Sequence, residues 1–597
     1  MSNRSWRNAG AIDPSRRRFV QGIAAGGAIA GLGLWPRPSF ALATRAQPGV
    51  LAGTAFDLSI GQTLLNFTGR TRPAVTVNDS LPGPILRWRE GSTVHLRVRN
   101  DLPAGSIHGE QASIHWHGIV LPAAMDGVPG LSFDGIARGQ AYDYRFDVRQ
   151  AGTYWYHSHS GFQEQAGLYG ALIIDPREPE PFAFDRDYVV LLSDWTDLDP
   201  AALFARLKKM SDYDNRYQRT AGDFLRDART DGLSAALAER RMWNQMRMTP
   251  TDLSDVNANT YTYLLNGHTN ADHWTAIFRP GEKVRLRLIN GSSMTYFDVR
   301  IPGLKLTVVA VDGQYVHPLS VDELRIATAE TFDVIVQPRG ADAFTIFAQD
   351  SGRTGCISGT LAVREGLRAP IPPLDPRPLL GMADMGMGGM DHGSADHANT
   401  ASGHDMAAMP GMEGMAGMDG MGAMVTHPAS EHGNPLLDMQ AMAPSARLDD
   451  PGVGLRDNGR DVLSYARLRS ACADPDGREP SRTIELHLTG HMEKFTWSFD
   501  GVKFADARPL RFNYGERLRI VLVNDTMMSH PIHLHGLWSD LEDEHGAFHL
   551  RKHTIDMAPG TRRSYRVRAD ALGRWAYHCH LLYHMEAGMM RTVEVRA

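Results

Sequence analysis

The heptapeptide LRIVLVN at residues 518–524 has two earlier variants in this chain, VHLRVRN at residues 94–100 and VRLRLIN at residues 284–290. Each variant is rich in aliphatic and β-branched residues, which favour strands, and each ends in asparagine. A strand pattern that returns at the spacing of whole domains is typical of repeated domains. The repeat therefore predicts three related β-domains.

The sequence around each heptapeptide shows the same pattern of short predicted strands separated by turns. This pattern indicates β-sandwiches or Greek-key barrels. A chain of 597 residues is also too long for one hydrophobic core. The predicted domains are residues 49–178, 179–366 and 466–597.

Two stretches interrupt the repeat. Residues 199–248 carry leucines at helix-compatible spacing, Leu203 with Leu207 and Leu233 with Leu237, which predicts a helical insertion in the second domain. Residues 367–465 are rich in Pro, Gly, Met and His and lack apolar periodicity. This composition predicts a flexible linker between the second and third domains.

The composition excludes some classes of function and favours another. A net charge of −6 argues against a nucleic-acid partner, which needs a basic face. Three cysteines are too few for a disulfide scaffold, whereas 25 His and 27 Met make two types of metal ligand abundant. Cys356 and Cys472 are either a disulfide between the second and third domains or two buried thiols.

The amino terminus predicts the compartment. Residues 15–20, SRRRFV, precede a Gly/Ala-rich apolar run and then ALA at residues 41–43. A basic region, a short apolar run and a small-residue site predict a signal peptide over residues 1–43, and the paired arginines indicate twin-arginine export to the periplasm. A membrane anchor is the alternative, but the run is shorter than the roughly 20 residues a spanning helix needs. No later segment is apolar enough to span a membrane.

Four His-x-His motifs stand near the two ends of the chain and none in the middle domain. They are HWH at residues 115–117, HSH at 157–159, HLH at 533–535 and HCH at 578–580. Alternate side chains of a strand face the same side, so each motif presents two imidazoles together. A single such pair is more often structural, but four pairs predict a metal cluster between the first and third domains.

The cysteine of HCH faces away from its two histidines. On that opposite side His530, His584 and Met589 can converge on Cys579. Two imidazoles, a thiolate and a weak thioether are the ligands of a blue copper electron-transfer site. The strand His578-Cys579-His580 would then connect this site to the cluster.

These motifs, read as HWHG, HSH, HPIHLHG and HCHLLYHMEAGM, resemble those of the multicopper oxidases over essentially the whole mature chain. The resemblance implies an all-β chain of three cupredoxin-like Greek-key β-sandwich domains, with a helical insertion in domain 2 and a Met-rich linker before domain 3. It also implies four copper ions. The type 1 ion would take His530, Cys579, His584 and Met589, the type 2 ion His115 and His533, and the type 3 pair His117, His157, His159, His535, His578 and His580.

The same resemblance implies the reaction. A reductant gives electrons singly to the type 1 site, and they pass along the strand of Cys579 to the three-copper cluster, where O2 is reduced to water. Asp126, in the MDGVPG segment, matches a carboxylate near the cluster and would relay protons. The alternative is that Asp126 is only a turn residue before Gly127. Some relatives carry a glutamate directly after the histidine that corresponds to His584, where this chain has Met585.

Longer stretches resemble one branch, the copper resistance protein A family of periplasmic oxidases. They are residues 208–227 (KKMSDYDNRYQRTAGDFLRD), 241–256 (RMWNQMRMTPTDLSDV) and 490–501 (GHMEKFTWSFDG), together with the twin-arginine leader. This resemblance implies oxidation of Cu(I) to the less permeant Cu(II) in copper resistance.

The linker adds a chemical argument for Cu(I). Its methionines include Met382, Met385, Met387, Met390, Met409, Met412, Met415, Met418, Met421 and Met424, with His392, His397 and His404 among them. Soft thioethers favour Cu(I), so the tract is expected to hold additional cuprous ions near the type 1 site, although a plain flexible linker is the alternative. Met527 and Met528 either continue that route or pack in the core.

Three functions therefore compete. The first is a periplasmic cuprous oxidase, the second a laccase-like oxidase of small phenols, and the third a copper-sequestering protein that acts through its linker. The expected partners are O2 and either Cu(I) or phenolic reductants, with periplasmic copper carriers as candidate protein partners. A complete set of cluster ligands argues against the third function as a full account, because storage needs no such cluster.

Overall fold

The computed structural model describes residues 49–387 and 426–597. The predicted signal peptide and the methionines from Met390 to Met424 lie outside the described residues. Within the described part, no helix has the length and apolar character needed to cross a membrane.

The first β-domain has nine strands: β1 Val50–Ala52, β2 Ala55–Asn66, β3 Thr71–Val77, β4 Gly83–Arg89, β5 Thr93–Asn100, β6 His115–His117, β7 Ala141–Asp147, β8 Gly152–His157 and β9 Tyr169–Asp175. They form a five-stranded sheet in the order β1-β4-β9-β8-β6 and a four-stranded sheet in the order β3-β2-β5-β7. A short 3-10 helix, Ala123–Met125, lies between β6 and β7.

The second β-domain has eleven strands: β10 Arg186–Trp195, β11 Thr262–Leu265, β12 Trp274–Ile277, β13 Val284–Asn290, β14 Phe297–Arg300, β15 Leu306–Val311, β16 Gln314–Val321, β17 Glu323–Ile326, β18 Thr331–Val336, β19 Ala343–Asp350 and β20 Cys356–Ala362. Its sheets have the orders β11-β10-β13-β18-β15-β16 and β12-β20-β19-β14-β17.

The third β-domain also has eleven strands: β21 Thr483–His491, β22 Thr496–Phe499, β23 Leu510–Asn513, β24 Arg517–Asn524, β25 His530–Leu534, β26 Ser539–Glu542, β27 Phe548–Lys552, β28 Thr554–Met557, β29 Arg562–Arg568, β30 Gly573–Cys579 and β31 Met590–Arg596. Its sheets have the orders β22-β21-β24-β29-β26-β27 and β23-β31-β30-β25-β28. Two further 3-10 helices are Tyr465–Arg467 and Phe504–Asp506.

The three heptapeptides are equivalent strands, β5, β13 and β24. Each pairs in parallel with the first long strand of its sheet and antiparallel with one other strand, β7, β18 or β29. Their terminal asparagines, Asn100, Asn290 and Asn524, are fully buried, and each side-chain amide donates hydrogen bonds to two backbone carbonyls. The predicted repeat is therefore confirmed, and its asparagine ties the end of the strand to two later segments.

In the third domain this asparagine holds the loop that leads into β25. The Nδ2 of Asn524 donates to the carbonyl oxygens of Met528 and Met557, both at 2.8 Å. Its Oδ1 accepts from the backbone N–H of Thr526 at 3.0 Å. The first residue of β25 is His530, so the repeat fixes the approach to a predicted metal ligand.

The predicted helical insertion is confirmed as three helices, α1 Pro200–Leu207, α2 Ala221–Thr230 and α3 Leu233–Gln245. The carboxylate of Asp199 caps α1, and Thr220 with Asp223 forms a capping box at α2. Leu203 and Leu207 are buried, as their spacing predicts. Leu233 and Leu237 are instead exposed, because α3 buries Ala236 and Trp243 on another face.

Both described ends of the predicted linker are packed against the β-domains, unlike the flexible segment that the sequence predicts. Leu380, Met385, Met439, Ala441 and Leu448 are all buried. The chain also forms β-bridges from residue 445 to 561 and from 462 to 323. These apolar residues pack singly against the β-domains. Single packed residues leave no helical or strand periodicity in the sequence, so the pattern could not predict them.

Neither alternative for the two remaining cysteines is correct. Cys356 begins β20 and is half-buried, Cys472 is exposed, and both are free thiols. The predicted disulfide between the second and third domains is therefore absent from the described structure.

Candidate metal centre

The His-x-His motifs lie on neighbouring strands of two sheets. In the first domain β6 pairs antiparallel with β8, and His115 lies opposite His157. In the third domain β25 pairs antiparallel with β30, and His533 lies opposite His578. Each sheet therefore presents its histidines as one patch.

The two patches meet face to face. The ring of His115 stacks on that of His535 with centroids 3.9 Å apart, and His117 stacks on His533 at 3.8 Å. The other rings are also close, with centroids 5.0 Å apart for His157 and His580 and 5.2 Å for His159 and His578. The structure thus brings together all eight predicted cluster histidines, of which only His159 is partly exposed.

The nearest ligand atoms form overlapping groups within 4.8 Å of one another. One group is His117, His157 and His580, and another is His115, His159 and His535. The first lies within the predicted type 3 set, whereas the second joins a predicted type 2 ligand to two type 3 ligands. The division into type 2 and type 3 ligands therefore stays a prediction.

The buried nitrogens of this patch fit metal ions. Nitrogen atoms without any hydrogen-bond partner among the described residues occur on His115, His117, His157, His159, His533 and His580. Buried polar atoms normally find a partner, so such a concentration needs an explanation. Burial, reinforced by neighbouring imidazoles, lowers the pKa of His117, His157, His159, His533, His535 and His580 well below its ordinary value. Neutral imidazole is the form that binds copper.

Most of these rings are oriented by a hydrogen bond at Nδ1, which leaves Nε2 to face the cluster. The Nδ1 contacts are His535 to Oδ2 of Asp126 at 2.9 Å, His115 to the Asp126 carbonyl at 2.8 Å, His157 to Oε2 of Glu164 at 2.6 Å, His533 to the His553 carbonyl at 2.5 Å and His578 to the Cys579 carbonyl at 2.9 Å.

Asp126 contacts histidines of both patches. Its side chain is 1% exposed, and Oδ1 lies 3.3 Å from Nδ1 of His115 while Oδ2 contacts His535. Gly127 follows with φ of +79°, and a Cβ there would lie 1.9 Å from the carbonyl oxygen of Ile114. The turn therefore requires glycine, and Asp126 is both a turn residue and a contact of the cluster.

Glu164 is a contact of the cluster that the sequence analysis did not predict. It lies 2.6 Å from Nδ1 of His157 and is 3% exposed, and burial raises its pKa well above the ordinary value. The available signal was the polar triplet Gln163-Glu164-Gln165 between apolar residues, just after HSH.

His553 is a second residue that sequence reasoning missed. Its ring centroid lies 4.8 Å from that of His117, and its Nε2 is buried without a partner among the described residues. Together with His117 and His533 it forms a third group of nearby nitrogens. His553 stands alone in LRKHT, outside any His-x-His motif, so its spacing did not mark it as a metal ligand.

The predicted mononuclear site is assembled on the other side of β30. Nδ1 of His530 lies 3.5 Å and Nδ1 of His584 lies 3.8 Å from Sγ of Cys579, and the two nitrogens are 3.1 Å apart. Met589 is fully buried, and its backbone binds both the His584 carbonyl and the Cys579 N–H. Burial raises the pKa of the Cys579 thiol, so a bound cation is needed to favour the thiolate.

Outer contacts fix these two imidazoles. Nε2 of His584 lies 2.8 Å from Oδ2 of Asp255, and Nε2 of His530 lies 2.7 Å from Oγ1 of Thr526. The ring of Trp497 stacks on His584 at 4.0 Å. Burial raises the pKa of Asp255 to about 7. Asp255 follows the helical insertion, far in sequence from the ligands, and was not predicted as a site residue.

Comparison with known proteins identifies the architecture. Three multicopper oxidase family models match residues 59–179, 186–365 and 477–597. The chain is 64% identical over 589 residues to a copper resistance protein A homolog from Pseudomonas syringae pv. tomato, covering 97% of this chain and 99% of that protein. It is 61% identical over 611 residues to copper resistance protein A from Escherichia coli, covering 98% and 99% respectively.

A solved structure has the same fold. Fet3p, described as a multicopper oxidase that functions in iron import, superposes with a TM-score of 0.62 at 18% identity, covering 91% of this chain and 90% of that chain. At this identity the likeness concerns the fold alone. It confirms the predicted all-β class with three cupredoxin-like domains.

Proposed function

The chain belongs to the multicopper oxidase family, and we propose that within it the protein oxidises Cu(I) with O2 as electron acceptor, as a defence against copper. The observation that carries this proposal is the segment His578-Cys579-His580, in which β30 ends at Cys579 and which supplies ligands to both groups of histidines. One backbone segment thereby links a place for electron entry with a place for O2 reduction.

We assign the ligands as the sequence predicts. The type 1 copper would be held by His530, Cys579, His584 and Met589, and the cluster by the eight histidines of the His-x-His motifs. When bound, the copper ions supply one-electron oxidation of the reductant at the first site and four-electron reduction of O2 to water at the second.

The surrounding residues hold the ligands in place and exclude water. Cys579 and its two histidine partners are 0% exposed, so little reorganisation of solvent is expected there. Asp126 orients His115 and His535, and its carboxylate lies where a proton for water formation could be delivered. Glu164 orients His157 in the same way.

A small cavity beside His584 supports an ion as the reductant. It has a volume of about 80 Å³ and is lined by Asp255, Met294, Met527 and Met528, among others. A buried cavity of about 150 Å³ can hold benzene, so a phenol would not fit wholly inside this space. Its lining combines the three thioethers with four carboxylates and four arginines, and thioethers match the ligand preference of Cu(I).

The relatives named copper resistance protein A support the same choice. We further propose export to the periplasm through the twin-arginine segment, with soluble copper carriers there as the source of Cu(I).

Steady-state O2 consumption with Cu(I) and with 2,6-dimethoxyphenol would test the substrate. We expect the larger kcat/KM with Cu(I). A protein that oxidises only the phenol would be a laccase-like oxidase, and a protein that binds Cu(I) without consuming O2 would be a sequestering protein. Either result would contradict the proposal.

A further inference from the structure

A second cluster of metal-ligating side chains shares no residue with either predicted copper site. It consists of His427, Glu431, His487 and Asp525, whose ligand atoms all lie within 4.8 Å of one another. His487 is on β21 and Asp525 directly follows β24, whereas His427 and Glu431 come from the segment that follows the methionine tract. None of the four belongs to a His-x-His motif. We call this group the linker-return cluster.

The contacts in this cluster converge on one point. Oδ2 of Asp525 lies 2.6 Å from Nδ1 of His487 and 3.3 Å from Nδ1 of His427. Oε2 of Glu431 lies 3.1 Å from the same nitrogen of His427, and Oε1 lies 3.8 Å from Nδ1 of His487. Both nitrogens therefore lie within 3.8 Å of both carboxylates, two of these contacts being hydrogen bonds.

The carboxylates of the linker-return cluster are balanced by imidazoles alone, because the hydrogen bond to Asp525 raises the pKa of His427 and, against the effect of burial, that of His487. Glu431, His487 and Asp525 are between 0% and 3% exposed, and His427 is half-buried. Among the residues that the structure describes, no lysine or arginine forms an ion pair with Glu431 or Asp525. A third carboxylate, Glu485, lies 3.5 Å from Nε2 of His487. Two buried carboxylates with only imidazole partners carry a desolvation cost that a cation would offset.

Two polar atoms of the cluster also lack a hydrogen-bond partner. Oε1 of Glu431 and Nε2 of His487 are buried, and neither has a hydrogen bond within residues 49–387 or 426–597. The other oxygen of Glu431 is held by the side-chain amide of Gln440 at 2.8 Å, and Oδ1 of Asp525 accepts the backbone N–H of Ala441 at 2.7 Å. Outer hydrogen bonds of this kind orient carboxylate ligands.

We propose that the linker-return cluster binds a divalent first-row transition-metal ion, Cu(II) or Zn(II), as a site separate from the oxidase coppers. Two imidazoles and two carboxylates suit such ions, and the set contains no sulfur ligand that would favour Cu(I). Four protein ligands in a buried site are typical of a structural role. The ion would fasten the chain to the third domain only three residues after Met424, where the methionine tract ends.

Zinc binding to the copper-loaded full-length protein tests the site without relying on oxidase activity. Wild type, H427Q, E431Q and a control, H432Q, would be equilibrated with limiting Zn(II), and bound zinc and copper would be counted by mass spectrometry. His432 is exposed in the same segment and receives the same substitution, so it reports on surface binding. Zinc held by histidines elsewhere is common to all four proteins and cancels in the comparison.

We expect wild type and H432Q to hold one more metal ion per chain, zinc and copper counted together, than H427Q and E431Q. The added ion should also raise the Tm of wild type and not that of H427Q. Four copper ions per chain in H427Q would show that the fold and the oxidase sites are intact. An equal sum of zinc and copper in wild type and both cluster variants would overturn the proposal, and so would an equal loss in H432Q.

Discussion

The imidazole Nε2 of His584 lies 2.8 Å from the carboxylate Oδ2 of Asp255, across 329 residues of sequence. One partner is a proposed type 1 ligand in the third domain, and the other follows the helical insertion of the second. Asp255 also lines the cavity beside the site. The carboxylate can therefore orient the ligand and attract a cationic reductant at the same time.

Substitution D255N should separate these two roles. Asparagine can still accept a hydrogen bond from His584, so the type 1 colour should persist, but the negative charge is lost. We expect the apparent KM for Cu(I) to rise about tenfold, which corresponds to about 1.4 kcal/mol, while phenol oxidation changes less. Steady-state kinetics with both substrates measure this. D231N, at an exposed aspartate after α2, is the control. An unchanged KM for Cu(I) would show that the charge of Asp255 does not attract the substrate.

Substitution C579S should abolish the thiolate-to-copper absorption and the oxidase activity. Copper should still load at the cluster, because the histidines of HCH face away from the cysteine side chain. Visible absorption, copper content and O2 consumption check this expectation. C472S makes the same change at an exposed free thiol and should stay blue and active. A blue C579S protein would refute the assignment of the type 1 site.

Substitution D126N should slow O2 reduction without slowing electron entry. Asparagine preserves the size of the side chain and can contact His535, but it cannot carry a proton as a carboxylate does. We expect kcat to fall about 100-fold or more, which is the usual contribution of a general acid or base. Anaerobic reduction of the type 1 copper, followed by stopped flow, should keep its wild-type rate. D134N, at an exposed aspartate of the same loop, is the control. Slower anaerobic reduction in D126N would mean that the residue supports the fold around the ligands.

Replacing the methionines between residues 388 and 425 with serine should raise the apparent KM for Cu(I). Soft capture of the ion is lost, whereas phenol oxidation needs only the type 1 site and should stay within about twofold, or roughly 0.4 kcal/mol. Met385 must be left in place because it is fully buried, and its loss would leave a cavity. M442S, at an exposed methionine that follows the tract, is the control. An unchanged apparent KM for Cu(I) would show that the tract acts only as a spacer between the domains.

The repeated asparagines offer a matched pair of variants. N524A and N290A each remove an amide that binds two buried carbonyls, and each should cost about 2–4 kcal/mol of unfolding free energy, measured from urea midpoints. Only N524A should also shift the type 1 absorption, since Asn524 binds the loop before His530. Identical spectra for the two variants would mean that the loop is held by other contacts.

Local pattern was enough to predict the strands of the repeat and every His-x-His motif. A strand with period two dictates which side chains share a face, so His115 and His117 could be paired from sequence alone. The residues that contact the metal-binding histidines could not be predicted in this way. Asp255, Glu164 and His553 sit in segments without periodicity, and only the tertiary fold brings them to the ligands.

The prediction of a flexible linker is wrong at its two described ends for a related reason. Met385 and Ala441 are fully buried, yet their neighbours in sequence are glycines and polar residues that hide the signal. Packing of single side chains into grooves of a neighbouring domain depends on surfaces that are distant in sequence. Composition alone therefore predicts mobility where the described chain is held in place.

Because His117 stacks on His533, the proposed copper cluster needs histidines from both the first and the third domain. A ribosome that has released residues 1–366 has produced only four of the eight cluster histidines, in a first domain that cannot close the site by itself. The segment 578–597 adds the last two of them, together with Cys579, His584 and Met589. A chain cut short by even this final segment lacks most of the type 1 ligands and one wall of the cluster. Such a chain would have no Cys579 to connect the proposed type 1 site with the cluster.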